Sequence, residues 1–225
     1  MTQTDEAKAW DLNADALAER AISLFVNRTD IYGAYKPLHR RDTGSAWTAP
    51  FKADRGKIFL SPTVLAKHFR GRRVEHLVGC HAISQTDTCR WFAIDIDQHR
   101  DSVGVDVVRR NSEIAIHLGA LLSTMGLSSV IEDSNGRGGM HVWCFLARAL
   151  PAPEVYDFCR ALIGSADLPP DTESFPKQPS ARRAFGNWLR LPGRHHDGRL
   201  HWSRFWSGSE WLKGNDAVRY LLDAD

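Results

Sequence analysis

The chain has 225 residues, of which 43% are hydrophobic and 25% are charged, and its formal net charge is +2. These values are ordinary for one large or two small globular domains and exclude a long disordered chain or a fibrous repeat. No stretch approaches the roughly 18 apolar residues of a membrane helix, and the polar N-terminus lacks the pattern of a signal peptide. The four cysteines have no CxxC spacing and are predicted to be free thiols in a cytoplasmic protein without a membrane partner.

The N-terminal third of the chain predicts two helices joined by an irregular segment. Asn13 can cap a helix that runs to about Phe25, because apolar residues recur there on one helical face. Ser61-Pro62 is typical of a helix start, and Gly71 is typical of a helix end. Residues 27–60 show no clear period and are rich in turn formers and basic residues.

A regular pattern begins near residue 76. The apolar periodicity predicts helices over 104–125 and from 151 onward, and strands over 76–83, 89–97, 129–133, 140–147 and 187–191. From residue 89 the order is therefore βαββαβ, which predicts an antiparallel sheet with two helices on one face and an open opposite face. The expected fold is α+β within a single domain, 1–225. It would comprise an irregular N-terminal α/β module, 1–75, and an RRM-like catalytic module, 76–225.

Two carboxylates follow one another on a single face of the predicted strand 89–97. Side chains alternate across a strand, so Phe92, Ile94 and Ile96 share the face toward the helices, while Asp95 and Asp97 share the other. Carboxylates held this close repel each other unless a cation lies between them, and magnesium and manganese prefer such oxygen ligands. The pair predicts a metal site.

A glycine-rich hairpin, 134–140, precedes His141 at the start of the strand 140–147. Its glycines allow a close approach of the backbone to a ligand and can expose amide groups to phosphate, and Arg137 adds positive charge. The first and third strands of a βαββαβ sheet are neighbours, so His141 is expected beside the strand of Asp95. The hairpin predicts a nucleotide-phosphate site.

A two-metal site requires a third carboxylate. Glu173 is our choice and Asp171 is its competitor, while Lys177 and Arg190 can neutralise phosphates. Three nearby histidines lack the thiol or carboxylate spacing of a zinc site and are predicted to be polar loop residues: His195, His196 and His201.

Positive charge is concentrated in two segments. Residues 36–73 contain ten Lys or Arg and two Asp or Glu, and residues 177–204 contain seven and one. Clustered basic residues interleaved with aromatic rings are typical of surfaces that bind a nucleic acid. The first segment is predicted to hold nucleic-acid phosphates through Lys52, Arg55, Lys57, Arg70, Arg72 and Arg73.

These motifs, in this order, resemble the archaeo-eukaryotic primase superfamily. The run 87–97 looks like its motif I, two aspartates separated by one hydrophobic residue. Residues 134–143 look like its motif II, and residues 173–178 with 186–193 look like its motif III region. The resemblance spans about residues 22–214 and is closest to primase-polymerases of the TOTE conflict-system type, whose core is an RRM-like fold.

The resemblance implies a metal-dependent nucleotidyltransferase, a DNA primase or primase-polymerase that uses NTPs or dNTPs on a single-stranded DNA template. Its Mg²⁺ or Mn²⁺ ligands would be Asp95, Asp97 and, at the third acidic position, Glu173. The incoming nucleotide would be bound by Ser134, Arg137, His141, Lys177 and Arg190. A helicase or another replication or defence protein is a candidate partner.

Two other functions fit part of the pattern. A non-catalytic RRM-like module would bind single-stranded nucleic acid through Trp91, Trp143 and Phe145 on the open face, although the neighbouring acids would repel phosphate without a metal. A glycosyltransferase with a DxD motif would explain the metal pair, but it would leave the basic segments and the motif order without a role.

Overall fold

A computed structural model of the chain describes residues 4–35, 48–52, 59–97, 105–182, 185–197 and 200–224. The helices in these ranges are α1 (Asp5–Leu12), α2 (Ala14–Leu24), α3 (Pro62–Arg70), α4 (Val105–Thr124), α5 (Ala152–Ser165) and α6 (Gly214–Asp223). The strands are β1 (Ile31–Tyr35), β2 (Thr48–Lys52), β3 (Val78–His81), β4 (Thr88–Ile96), β5 (Ser129–Asp133), β6 (Met140–Pro151), β7 (Glu173–Phe175), β8 (Trp188–Arg190), β9 (Arg204–Trp206) and β10 (Trp211–Leu212). None of the helices is long and apolar enough to cross a membrane.

The predicted start and end of helix α3 are confirmed. Helix α2 is also present, but the predicted cap by Asn13 is not. The Ser61 hydroxyl accepts a hydrogen bond from the Val64 amide at 3.3 Å, and Gly71 ends the helix with a φ of +56°. Asn13 makes no side-chain cap for α2. Its side-chain amide instead donates to the Ala9 carbonyl at 2.8 Å, at the end of α1, a helix that the sequence reading did not predict.

The predicted βαββαβ unit lies inside a six-stranded antiparallel sheet of order β10-β9-β5-β6-β4-β7. Its strands are β4, β5, β6 and β7, and its helices are α4 and α5. The prediction was wrong about the fourth strand, which is Glu173–Phe175 rather than 187–191. Strand β7 has only three residues and no pattern of its own, whereas the segment 187–191 around β8 contains three apolar residues in five.

Strand β8 belongs to a second sheet, of order β2-β1-β3-β8. This four-stranded sheet takes β1 and β2 from the N-terminal third of the chain, and β3 and β8 from the remainder. Strands from both sides of residue 75 thus share one sheet, and the division of the domain at that residue stays a prediction. The α+β class with antiparallel sheets is confirmed.

The two faces of the six-stranded sheet are covered by different elements. Phe92, Ile94 and Ile96 pack with residues of α4 and α5, as the alternation in β4 predicted. The opposite face, predicted to be open, packs against α1, α2, α3 and the second sheet along most of its length. Trp91 and Trp143 are fully buried there, so neither ring can stack on a base as the binding-module alternative requires. The four cysteines are buried free thiols, as predicted.

Candidate active site

One row of side chains crosses four neighbouring strands of the larger sheet. Glu132 in β5 lies opposite His141 in β6, His141 lies opposite Asp95 in β4, and Asp95 lies opposite Glu173 in β7. Directly opposed residues of antiparallel strands point to the same face of the sheet. The pairing therefore gathers three carboxylates and one imidazole, contributed by three distant segments of the chain.

A cavity of about 570 Å³ lies over this row, between the two sheets. Arg137 does not line this cavity. Its guanidinium forms an ion pair with Asp197 at 2.8 Å. The other residues predicted to bind metal or nucleotide all line the cavity: Asp95, Asp97, Ser134, His141, Glu173, Lys177 and Arg190.

Asp95 is the most buried carboxylate of the cavity wall. Its Oδ1 atom has no hydrogen-bond partner among the described residues and lies 3.6 Å from His141 Nε2. Burial, with the nearby charges of Asp97 and Glu173, raises the pKa of Asp95 to about 7. A cation bound at this wall would remove the cost of burying that charge.

Carboxylate oxygens from Asp95, Asp97 and Glu173 are the donors that Mg²⁺ and Mn²⁺ prefer, so the residues present fit such an ion in their chemistry. As the side chains stand, no three His, Cys, Asp or Glu groups of the described residues converge on one ion-sized point. The Glu173 carboxylate is instead paired with Lys177. Asp171 lines a second cavity, of about 800 Å³, that shares these acidic residues, but it lies outside the cross-strand row.

Arg190 supplies positive charge to the opposite wall. Its guanidinium is buried and donates hydrogen bonds to the backbone carbonyls of Ser134 at 2.8 Å, Leu191 at 3.1 Å and Arg194 at 3.4 Å. All of these acceptors are neutral. A buried guanidinium with neutral acceptors beside a cavity favours the binding of an anion such as phosphate.

One end of the cavity is aromatic and was not predicted from the sequence. Residues of β1, β8 and the turn after β8 meet there. The ring of His196 stacks on Tyr35 with centroids 4.4 Å apart, and Trp188 meets Tyr35 edge-on at 5.4 Å. His195 and His196 are loop residues as predicted, but they also line the cavity. Burial and the charge of Arg190 lower the pKa of His196 to about 4, so its ring is neutral.

Two glycines make room for the Trp188 ring. A Cβ atom at Gly33 would lie 1.8 Å from the indole, and one at Gly79 would lie 2.1 Å from it. Gly79 is in β3, the neighbour of β8, and Gly33 is in β1, one strand further, so the indole lies across both strands. No sequence motif marks them, because their role depends on strand pairing.

Glu132 is a second residue of the site that was not predicted from the sequence. It is fully buried and receives hydrogen bonds from His141, Trp143 and Ser203. Burial alone would raise the pKa of Glu132, but the charges of His141 and Arg190 and these hydrogen bonds together lower it to about 2. Glu132 is therefore an ionised carboxylate behind His141. In the sequence it resembles an ordinary solvated acid at a strand end.

The residues predicted to hold nucleic acid do not line the cavity where they are described. Arg70 pairs with Asp15 at 2.8 Å, and Arg72 pairs with Asp11 at 3.0 Å. Arg73 pairs with the neighbouring Glu75. The remaining predicted contacts lie outside the residues whose side chains are described: Lys52, Arg55 and Lys57.

An RRM-like antiparallel core packed on a second sheet defines the fold class of primase-polymerases. The family model described as the archaeo-eukaryotic primase domain of TOTE conflict systems matches residues 19–224, and the chain belongs to this family. The family consists of primase-polymerase nucleotidyltransferases, so the resemblance noted from the motifs is confirmed.

A solved structure supports the fold independently. The polymerase domain of Mycobacterium tuberculosis Ligase D, in complex with DNA, is similar to this chain with a TM-score of 0.57 and 13% sequence identity. The similarity covers 100% of this chain and 96% of that one. At this identity the likeness establishes the fold alone. A comparison with curated protein sequences finds no match.

Proposed function

We propose that the protein is a metal-dependent, template-directed nucleotidyltransferase, a DNA primase or primase-polymerase that forms phosphodiester bonds from nucleoside triphosphates on single-stranded DNA. The observation that carries the proposal is the cavity over the cross-strand row. Its acidic wall contains Asp95, Asp97 and Glu173, and cationic or hydrogen-bonding groups face them. This combination of charges suits a metal-bound triphosphate.

Asp95, Asp97 and Glu173 would hold Mg²⁺ or Mn²⁺. When bound there, the ion would supply Lewis-acid activation of the attacking 3′-hydroxyl and stabilisation of charge on the triphosphate. The unpartnered, buried Oδ1 atom of Asp95 supports this assignment. Lys177 would then exchange its contact with Glu173 for one with phosphate.

The triphosphate would be bound by His141, Lys177 and Arg190. Arg190 is held in place by backbone carbonyls, so its charge is already oriented before a nucleotide enters. Burial opposes the charged form of His141, but the carboxylates of Glu132 and Asp95 outweigh it and raise the pKa of the ring. As an imidazolium, with Nδ1 bonded to Glu132, His141 can donate from Nε2 to a phosphate oxygen. Ser134 lines the same cavity. Arg137 would have to exchange its ion pair with Asp197 for a phosphate contact.

The DNA strand would be held outside the cavity by the basic residues of the first segment. The likeness in fold to a polymerase domain solved with DNA supports this part of the proposal. Arg70, Arg72 and Arg73 would exchange intramolecular carboxylates for phosphates, which weakens the gain from each contact. A helicase or another replication or defence protein as partner, and a cytoplasmic location, stay predictions.

The test is synthesis from labelled NTPs or dNTPs on single-stranded DNA with Mg²⁺ or Mn²⁺, with and without a primer. The matched control is the double variant Asp95→Asn, Asp97→Asn, which keeps the side-chain volume and removes both charges. Products without a primer that disappear in the variant would establish a primase, and products only with a primer would establish a polymerase. Single-strand binding without any product would favour the non-catalytic module instead.

A further inference from the structure

Glu132 is a charged group with no access to solvent. Its exposed fraction is 0%, and its two oxygens accept three hydrogen bonds. Oε2 accepts from His141 Nδ1 and from Trp143 Nε1, each at 2.8 Å, and Oε1 accepts from the Ser203 hydroxyl at 2.5 Å. Burying an ionised carboxylate is costly unless its hydrogen bonds are satisfied, and here they are.

These hydrogen bonds determine how the His141 ring is held. The indole nitrogen of Trp143 can only donate, so Oε2 of Glu132 must be an acceptor, and His141 must carry a proton on Nδ1 to share it. With Nδ1 held behind the sheet face, Nε2 of the same ring points toward Asp95 and the cavity. A carboxylate that accepts from one imidazole nitrogen keeps a proton on that nitrogen and fixes the direction of the other.

The same carboxylate also reaches the turn that carries the cavity histidines. The hydroxyl that donates to Glu132 accepts the backbone N–H of Gly193 at 2.8 Å. Gly193 begins the turn that places His195 and His196 in the cavity wall. Glu132 thus connects His141 on one strand with a separate wall of the cavity through Ser203.

We propose that Glu132 is a positioning residue, which holds His141 so that Nε2 faces the triphosphate of the incoming nucleotide. The inference rests on the proposed function for the identity of the ligand. Glu132 itself touches no ligand, because it is fully buried behind His141. Its contribution is made through the hydrogen bond to Nδ1, so any group that accepts this bond in the same place should preserve it.

Glu132→Gln and Glu132→Ala separate this role from a general effect on folding. In Glu132→Gln the amide oxygen can accept from both His141 and Trp143, and the amide nitrogen can donate to Ser203. The indole N–H of Trp143 fixes this orientation, since an amide NH₂ in the same place would face another donor. Glu132→Ala removes both acceptor oxygens and with them all three hydrogen bonds.

The first measurement is ¹⁵N NMR of histidine-labelled protein without nucleotide, which does not depend on catalysis. In the wild type and in Glu132→Gln, Nδ1 of His141 should carry a proton, whereas Glu132→Ala should show a mixture of tautomers. An unchanged His141 spectrum in Glu132→Ala would overturn the proposal even if the protein proves to have no synthetic activity.

The second measurement is the kinetics of nucleotide incorporation. Glu132→Ala should raise KM for the nucleotide by about tenfold or more with a smaller change in kcat, and Glu132→Gln should restore KM to within about threefold of the wild type. Trp143→Phe is the matched control, because it removes a hydrogen bond from the same oxygen but leaves the Nδ1 bond of His141 and keeps an aromatic ring at the position that meets His141 edge-on, with centroids 5.7 Å apart. A KM raised equally in Trp143→Phe and Glu132→Ala, or an equal loss in Glu132→Gln, would reduce Glu132 to a structural or purely electrostatic residue.

Discussion

Asp95 and Glu173 lie directly opposite each other in the antiparallel strands β4 and β7, so their carboxylates point to the same face of the sheet. This relationship separates two candidates that the sequence left open. Asp171 precedes β7 and takes no part in the row. Strand pairing therefore favours Glu173 as the third acidic residue.

We expect Glu173→Gln to lower nucleotide incorporation by about a hundredfold or more, the size typical of losing a group that stabilises the transition state. Asp171→Asn should change it by less than about threefold, because Asp171 is not paired with β4 and lies outside the cross-strand row. Both variants remove one negative charge from the same segment, so each controls for the other. The reverse order of effects would assign the third carboxylate to Asp171.

Asp95→Asn should raise the thermal stability of the metal-free protein. The substitution removes a buried charge whose Oδ1 has no partner among the described residues and which lies near two other acids. Added Mg²⁺ or Mn²⁺ should raise the melting temperature of the wild type, since a ligand that binds only the folded state stabilises it. The variant should lose this response. An equal rise in both proteins would place the ion elsewhere.

Acid should destabilise the protein through His68, which is buried between α3 and the second sheet. Its Nδ1 accepts the Val78 amide at 2.9 Å, so the neutral ring carries its proton on Nε2 and donates to the Pro192 carbonyl at 2.9 Å. Burial lowers the pKa of His68 to about 4. Above pH 6.5, the ordinary pKa of histidine, the ring is neutral in both the folded and the unfolded protein, and the folded state keeps its full stability. As the pH falls from 6.5 toward 4, the unfolded protein takes up a proton that the folded one does not, and stability is lost.

The difference between the two pKa values of His68 lowers the free energy of unfolding by about 3 kcal/mol over this pH range, at about 1.36 kcal/mol for each pKa unit. His68→Gln should be less stable than the wild type at pH 7 and should lose less stability between pH 7 and pH 4. Urea denaturation at several pH values measures both slopes. Other buried histidines, such as His81, contribute equally to the two proteins, so parallel slopes would contradict the role of His68.

Gly79→Ala should destabilise the protein by about 1–3 kcal/mol, the usual cost of overpacking. The new Cβ would lie 2.1 Å from the Trp188 ring and 2.6 Å from the backbone oxygen of Leu189, which cannot move as a side chain can. Gly164→Ala in α5 is the matched control, because its Cβ would meet no atom within 4 Å. It should stabilise by up to about 1 kcal/mol through helix propensity. Chemical denaturation of both variants gives the comparison.

Local patterns in the sequence were sufficient to predict the features that depend on residues close together in the chain. Helix α3 was marked by its serine cap and its terminal glycine, and β5 by a short apolar run. The alternation in β4 assigned Asp95 and Asp97 to one face because side-chain direction reverses at every residue of a strand. The order of the elements then predicted the RRM-like core and the pairing of Asp95 with His141.

Only the tertiary structure decided the features that depend on which distant segments meet. Short β7 joins the main sheet, and β8 joins the second sheet, although β8 has the clearer strand pattern. Glu132 and His196 became parts of the site through partners far away in the chain. Their burial and pKa values are set by those partners, and residue type and local spacing carry no information about contacts made across two sheets.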